Sequence, residues 1–174
     1  MRREAIRGYG LMFGFVECAL HRAAGPELAV ETLYGLLRLR VDVFVVEQRC
    51  AYAELDGLDL DPGTVHLWTG GDTPSACQRL LTEPDGHRIG RVCTAPAARG
   101  RGLVRRLMAA ALDELGDAAC VLSAQAHLTG LYGGFGFAPD GPGYDWDGVP
   151  HVPMRRGGRT PSSGATAEED TGHE

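Results

Sequence analysis

The sequence predicts a single α/β (α+β) domain, and three observations carry that prediction. Short apolar runs of strand length recur at 65–69, 75–82, 88–94 and 120–124, punctuated by Gly, Pro and Asp clusters. Residues 101–115 instead set their apolar side chains in two adjacent rows at helical spacing. The length of 174 residues, with 44% hydrophobic and 23% charged side chains, suits one core of ordinary size. Those values exclude a disordered chain, a collagen and a small disulfide scaffold.

Each element follows in order. Residues 1–12 read as a flexible N-terminal extension, with Met12 an alternative start, and Phe13 to His21 read as the first strand. Gly25-Pro26-Glu27 is a break that opens a helix, because Leu33, Leu36, Leu37, Arg40 and Phe44 keep helical spacing. Its end stays open, since Val41 to Val46 is rich in β-branched residues. The acidic stretch 49–63 ends in the turn Asp61-Pro62-Gly63. Val65 to Thr69 and Ser75 to Thr82 are strands around the turn Gly70–Pro74, and Pro84-Asp85-Gly86 turns the chain into Arg88 to Thr94. In the helix 101–115, Leu103, Leu107, Ala111 and Leu115 form one row and Val104, Met108 and Leu112 the next. Cys120 to Ala124 is a buried strand. His127 to Phe135 is a short helix stopped by Gly136, and Gly133 and Gly134 weaken it by roughly 1 kcal/mol each relative to Ala. Residues 137–155 close as paired hairpins through Pro139–Gly143 and Asp147-Gly148. The domain is expected over 13–156, and 157–174 as a disordered acidic tail.

Charge excludes some functions. The net charge of -6 argues against a general nucleic-acid binder, which needs a basic face. All 17 basic side chains are arginine, and neither lysine nor asparagine occurs, a pattern that fits a GC-rich genome. Residues 42–61 carry Asp42, Glu47, Glu54, Asp56, Asp59 and Asp61 against Arg49 alone. Residues 99–106 carry Arg99, Arg101, Arg105 and Arg106 and no acid. An acidic block and a basic block in one small domain suggest two ligand sites, or simply a solvated surface.

Five cysteines at wide spacing, with no C-x-x-C, point to a reducing, cytoplasmic setting and not to a disulfide framework. The histidines show no metal-ligand spacing, so no metal is expected. Glu17 interrupts the apolar run that imitates a signal peptide, and no run is long enough to span a membrane.

The segment that carries chemistry is Ile89 to Leu103. It passes from a strand through Ala97-Ala98-Arg99-Gly100-Arg101-Gly102 into the strong helix. A helix start has unpaired N–H groups and a positive dipole end, which suit a phosphate. Glycine lets backbone approach closely, and Arg99 and Arg101 add charge. The loop matches neither the P-loop nor the dinucleotide-binding pattern, whose third glycine would fall on Arg105.

This segment resembles the pyrophosphate-binding motif of the GNAT N-acetyltransferases, Gln/Arg-x-x-Gly-x-Gly/Ala, with Gly100 and Gly102 at the glycine positions. Ala97 departs from its first position. Leu131-Tyr132-Gly133-Gly134-Phe135-Gly136-Phe137 resembles the family's Tyr-x-x-x-Gly-Phe block. The blocks 33–40, 43–50, 55–59, 124–128 and 148–154 are similar to the ElaA group of that superfamily, so the likeness covers roughly 28–156. It implies a mixed, twisted sheet of about six to seven strands flanked by helices, splayed between strands four and five. Acetyl-coenzyme A would lie in the splay. Its pantetheine arm would pair with Val92, Cys93 and Thr94, its pyrophosphate would rest on N–H groups from Ala98 through Arg99, Gly100, Arg101 and Gly102 to Leu103, and Gln125 would touch cofactor or acceptor.

The implied activity is direct acetyl transfer to a primary amine in a ternary complex. Tyr132 would protonate the departing thiolate, and the Val92 or Cys93 amide would hold the oxyanion. Glu47 is the first candidate for the base; equally, Glu47 and Gln48 could pair with Arg40 as a brace. Arg40, Gln48, His66, His127 and His151 are candidates for the acceptor side, and the acidic block 42–61 fits a cationic acceptor. Such an acceptor is a small molecule or a peptide terminus, and the protein a monomer or homodimer. Two rivals stand: a coenzyme A sensor without turnover, and an acyl-homoserine-lactone synthase, which the coenzyme A loop argues against.

Overall fold

The computed structural model describes residues 19–71 and 73–157. The expected extension 1–12, the start of the first strand and all of the tail after Gly157 lie outside them.

The first strand, β1 (Leu20–Ala24), runs later than expected because its register with β2 (Thr64–Thr69) continues to Ala24↔Val65. A turn at Gly25–Glu27 then leads to α1 (Val30–Arg40). Gly25 is required by space: an added Cβ would lie 2.5 Å from the Asp59 carbonyl. The open end of the first helix resolves as more helix. Val41–Glu47 continues α1 as a π segment, whose end is marked by the Gln48 N–H on the Val43 carbonyl at 3.0 Å. Burial of Leu36, Leu39 and Val43 against the sheet overrides the strand preference of the valines.

The remaining elements are β3 (Ala76–Glu83), β4 (Gly86–Thr94), α2 (Leu103–Leu115), β5 (Cys120–Gln125), α3 (Thr129–Gly133), β6 (Ala138–Pro139), β7 (Tyr144–Trp146) and β8 (Val149–Arg156). The short helix is shorter than expected. Ala126–Leu128 form a separate tight turn, and α3 ends at its first glycine pair.

One eight-stranded sheet results, in the order β1-β2-β3-β4-β5-β8-β6, with β7 added on β8. The expected six to seven strands become eight because β6 and β7 are two- and three-residue strands. All neighbours are antiparallel except β4 and β5. That parallel pair is joined only at His87↔Cys120 and Arg88↔Val121, then separates. The splay implied by the family resemblance is therefore present.

Each face of the sheet has its own core. On one, Leu103, Leu107, Met108, Ala111 and Leu112 of α2 pack on Leu80, Ile89, Leu122 and Met154, as the helical rows predict. On the other, α1 and the π segment cover Trp68, Cys77 and Cys93.

Candidate functional site at the β4–β5 splay

Beyond Arg88, β4 has no β5 partner, so Val92, Cys93 and Thr94 lie along an open strand edge. This stretch is bent by a bulge. Cys77↔Cys93 gives way to Arg79↔Gly90, so β4 holds one residue more than β3. The bulge falls at Arg91, a non-glycine residue at φ 54°. Such a backbone persists only where its surroundings over-determine it. Here the Arg91 guanidinium lies 3.0 Å from Glu54 and 3.0 Å from Asp56, and 5.3 Å above the Tyr52 ring.

From Thr94 the chain crosses a tight turn at Pro96–Ala98 and enters α2 through two left-handed glycines, Gly100 at φ 74° and Gly102 at φ 72°. Open space surrounds both, so the backbone conformation, and not crowding, calls for glycine. No side chain caps the start of α2. Its first N–H groups face a depression of about 210 Å³ lined by Thr94, Ala98, Arg99, Gly100, Gly102 and Leu103, among others. Uncapped N–H groups and the helix dipole make this an anion-binding geometry. Arg101 and Gly102 are exposed there, and the departing residue Ala97 is exposed at the loop entry.

Tyr132 sits on α3 with 6% of its surface exposed and meets Phe137 edge-on at 6.4 Å. Burial pushes its phenol up to about 12. It therefore stays protonated across the physiological range and can donate a proton.

The two residues given opposite roles, Glu47 and Arg99, meet. Arg99 Nη1 and Nη2 donate to the Glu47 carboxylate at 2.7 and 2.6 Å, and Arg99 Nε donates to the Thr94 carbonyl at 3.3 Å. The bond from Arg99 holds the Glu47 carboxyl below its ordinary range. In this pairing Glu47 is a weak base. Gln48 also finds a partner across the site: Gln125 Nε2 donates to Gln48 Oε1 at 3.1 Å, bridging the end of the π segment and the end of β5.

The brace expected between Arg40 and Glu47–Gln48 is not formed. Arg40 is 1% exposed and donates instead to Glu54 and Asp59. Arg79 joins them, reaching Asp59 at 2.9 Å and Asp56 at 2.8 and 2.5 Å. Burial raises the Asp59 carboxyl, and the bonds from Arg40 and Arg79 more than offset it, so it is lowered overall; the bond from Arg79 holds Asp56 well below the carboxylate range. His66 is buried too, with Nε2 on the Asp59 carbonyl at 2.9 Å. Burial lowers its pKa, which keeps it neutral. Arg40 and His66, expected on the acceptor side, are thus enclosed inside the fold. Half of the acidic block is likewise engaged inside the fold. Glu54, Asp56 and Asp59 serve Arg40, Arg79 and Arg91, and Asp42 lies 3.8 Å from Arg38. Sequence reasoning missed Arg79 and Arg91, because an isolated arginine in a strand gives no local sign of its partners.

His127 is exposed on the turn before α3. His151 lies on β8 opposite Gln125 and stacks on Tyr144 with centroids 5.8 Å apart. The thiols Cys77 and Cys93 approach within 3.5 Å, and the bond from Cys77 together with burial pushes the Cys93 thiol well up, so it is no nucleophile at neutral pH.

Comparison with known proteins agrees with this geometry. A family model described as an acetyltransferase (GNAT) domain matches residues 77–157. A UPF0039 protein of Mycobacterium tuberculosis is 49% identical over 148 residues, covering 80% of this chain and 94% of that protein. Escherichia coli ElaA superposes with a TM-score of 0.75 at 38% identity, covering 80% of this chain and 99% of its own. An acyl-CoA N-acyltransferase from Pseudomonas aeruginosa superposes with a TM-score of 0.76 at 42% identity and the same coverages. At 20% identity, a CoA-dependent acyl-homoserine lactone synthase shares the fold alone (TM-score 0.68). That enzyme's use of CoA removes the argument that a coenzyme A loop separates the two activities.

Proposed function

Because the chain belongs to the ElaA (UPF0039) family of GNAT acyltransferases, we propose that it transfers an acetyl group from acetyl-CoA to a primary amine by direct attack in a ternary complex. The observation that carries this reading is the placement of the left-handed Gly100–Gly102 cradle at the end of the splayed edge Val92–Thr94. An extended thioester arm fits along such an edge as an added strand, with its phosphates on the start of α2.

The chain's own groups then divide the work. The cradle and Arg101 bind the pyrophosphate. The Val92 or Cys93 amide stabilises the oxyanion. The ammonium first loses one proton. Its nitrogen then forms a bond to the thioester carbon, the C–S bond breaks, and the second amine proton goes to the leaving thiolate through Tyr132, leaving one proton in solution overall. Glu47 takes the first proton, directly or through water, once Arg99 turns from it to the phosphate oxygens. Alignment of the two substrates can itself lower the barrier by roughly 7–11 kcal/mol. The protonated Cys93 thiol favours direct transfer over an acetylated enzyme.

Thiol release from acetyl-CoA across an amine panel tests this. Turnover with a primary amine supports it; binding of coenzyme A without turnover of any amine means a sensor.

A further inference from the structure

One group of side chains has no part in the scheme above. Tyr52, Trp146, Tyr144 and His151 form a continuous aromatic row: Tyr52 and Trp146 have centroids 5.8 Å apart, Trp146 and Tyr144 6.4 Å, and Tyr144 and His151 5.8 Å. The row has a definite place. At one end, Tyr52 lies against Arg91 in the β4 bulge. At the other, the Tyr144 hydroxyl is bonded to Ser123 of β5. It therefore bridges the two strands that splay apart, on the side where Gln48 meets Gln125.

Trp146 is 44% exposed and Tyr144 41%. Aromatic rings held open to water side by side on one short strand, β7, are a costly surface unless something covers them. Carboxylates alternate with them: Asp145 and Asp147 are both exposed, and neither has an ion-pair partner among the described residues. Asp145 Oδ1 accepts the Gly148 N–H at 2.7 Å, which fixes the turn. Glu54, Asp56 and Asp59 of the acidic block spend their charge on Arg40, Arg79 and Arg91, and Glu47 is paired with Arg99, so Asp145 and Asp147 stand out as unpaired carboxylates beside these rings. Ring faces plus unpaired carboxylates fit an organic cation.

We propose that this rim selects a diamine acceptor: one amine enters the splay to be acylated, while the second, still an ammonium, rests on the faces of Trp146 and Tyr144 and is neutralised by Asp145 and Asp147. The proposal rests on the acyltransferase reading and names its substrate class. A neutral arylamine would use the rings and leave the carboxylates unanswered. A simple alkylamine would use neither.

The test compares diaminopropane, diaminobutane and diaminopentane with propylamine, butylamine and pentylamine, following thiol release from acetyl-CoA. Wild type should favour the diamine of best length over its monoamine by about tenfold or more in kcat/KM, the scale of one desolvated cation–ring contact. Trp146→Ala, and separately the pair Asp145→Asn and Asp147→Asn, should each cut that preference about tenfold, mainly through KM. Asparagine keeps the acceptor for Gly148 and tolerates the φ of 49° at position 147, so the turn survives. Trp146→Phe should retain most of the preference. Equal losses for diamine and monoamine, or a phenylethylamine preferred over every diamine, would overturn the proposal while leaving the acyltransferase reading intact. If no amine is turned over, that reading fails instead, and calorimetric titration of diaminobutane into the coenzyme A-bound protein, with Trp146→Ala as control, still decides whether the rim binds a dication.

Discussion

Replacing Arg40 by Met should destabilise the protein severely, although position 40 touches nothing in the proposed chemistry. The side chain is 1% exposed, and its guanidinium bonds Glu54 and Asp59 from one position. Removing one partner of a buried ion pair costs about 3–5 kcal/mol, because the remaining charge stays desolvated. Two features place the loss near the lower limit. Asp59 keeps Arg79 at 2.9 Å, and Glu54 keeps Arg91 at 3.0 Å. A cost of about 3 kcal/mol in a domain of this size lowers Tm by roughly 6–12 °C. Differential scanning calorimetry and urea denaturation measure it. The damage should reach the site as well. With its anchor gone, loop 49–63 holds Glu54 and Asp56 less firmly on Arg91, and the β4 bulge loses its clamp. Arg40→Lys restores the charge without the fork and should recover only part of the stability. An Arg40→Met protein that melts within 2 °C of wild type would refute the reasoning, since the network would then be no more than a neutral filling.

Four further outcomes follow from the same geometry. The network should fail in acid. Asp56 and Asp59 are lowered in the folded state, so their contribution is complete above their unfolded pKa of about 3.9 and is lost as pH falls through the lower folded values; melting temperature against pH should be flat from 7 to about 5 and drop below about 4. Tyr132→Phe should cut kcat by about a hundredfold with little change in Tm; a rate unaltered at every pH would remove the general-acid role. Gly102→Ala should cost about 1 kcal/mol of stability, since alanine strains at φ 72°, and weaken coenzyme A binding measured by calorimetry. Glu47→Gln should release Arg99 and tighten coenzyme A binding at low salt while slowing amine turnover, a split that steady-state kinetics with binding titrations resolves.

The sequence was most legible where local pattern and local physics agree. The rows of α2, the turns at 61–63 and 84–86 and the Gly100–Gly102 entry each follow from spacing or from a residue with one conformational use. The helix end was not legible. The valines at 41–46 prefer strands, and only the packing of Val43 on Trp68, Cys77 and Cys93, far along the chain, holds them helical. Charge was read correctly in sum and wrongly in use. An acid at 54, 56 or 59 looks solvated until Arg40, Arg79 and Arg91 arrive from α1, β3 and β4, and no linear pattern announces three such meetings. The aromatic row was missed for the same reason: Tyr52 lies some ninety positions from Trp146 in sequence.

Those meetings also give the absence of lysine a structural meaning. Arg79 serves Asp56 and Asp59 at once, with Nη1 reaching both carboxylates and Nη2 closing a second bond to Asp56. A planar fork can do this; a single ammonium on a flexible stem cannot hold the same set of directions. Three arginines against three carboxylates leave the buried cluster without net charge. It therefore adds little to the long-range field, even though it contains half of the acids between 42 and 61. Asp145 on β7 and Asp147 on the β7–β8 turn instead keep their charge unpaired at the surface, beside the exposed rings. In this fold the acids that dominate the sequence brace the strand that would hold the thioester, and the two that attract no notice in the sequence are the ones proposed to choose what is acylated.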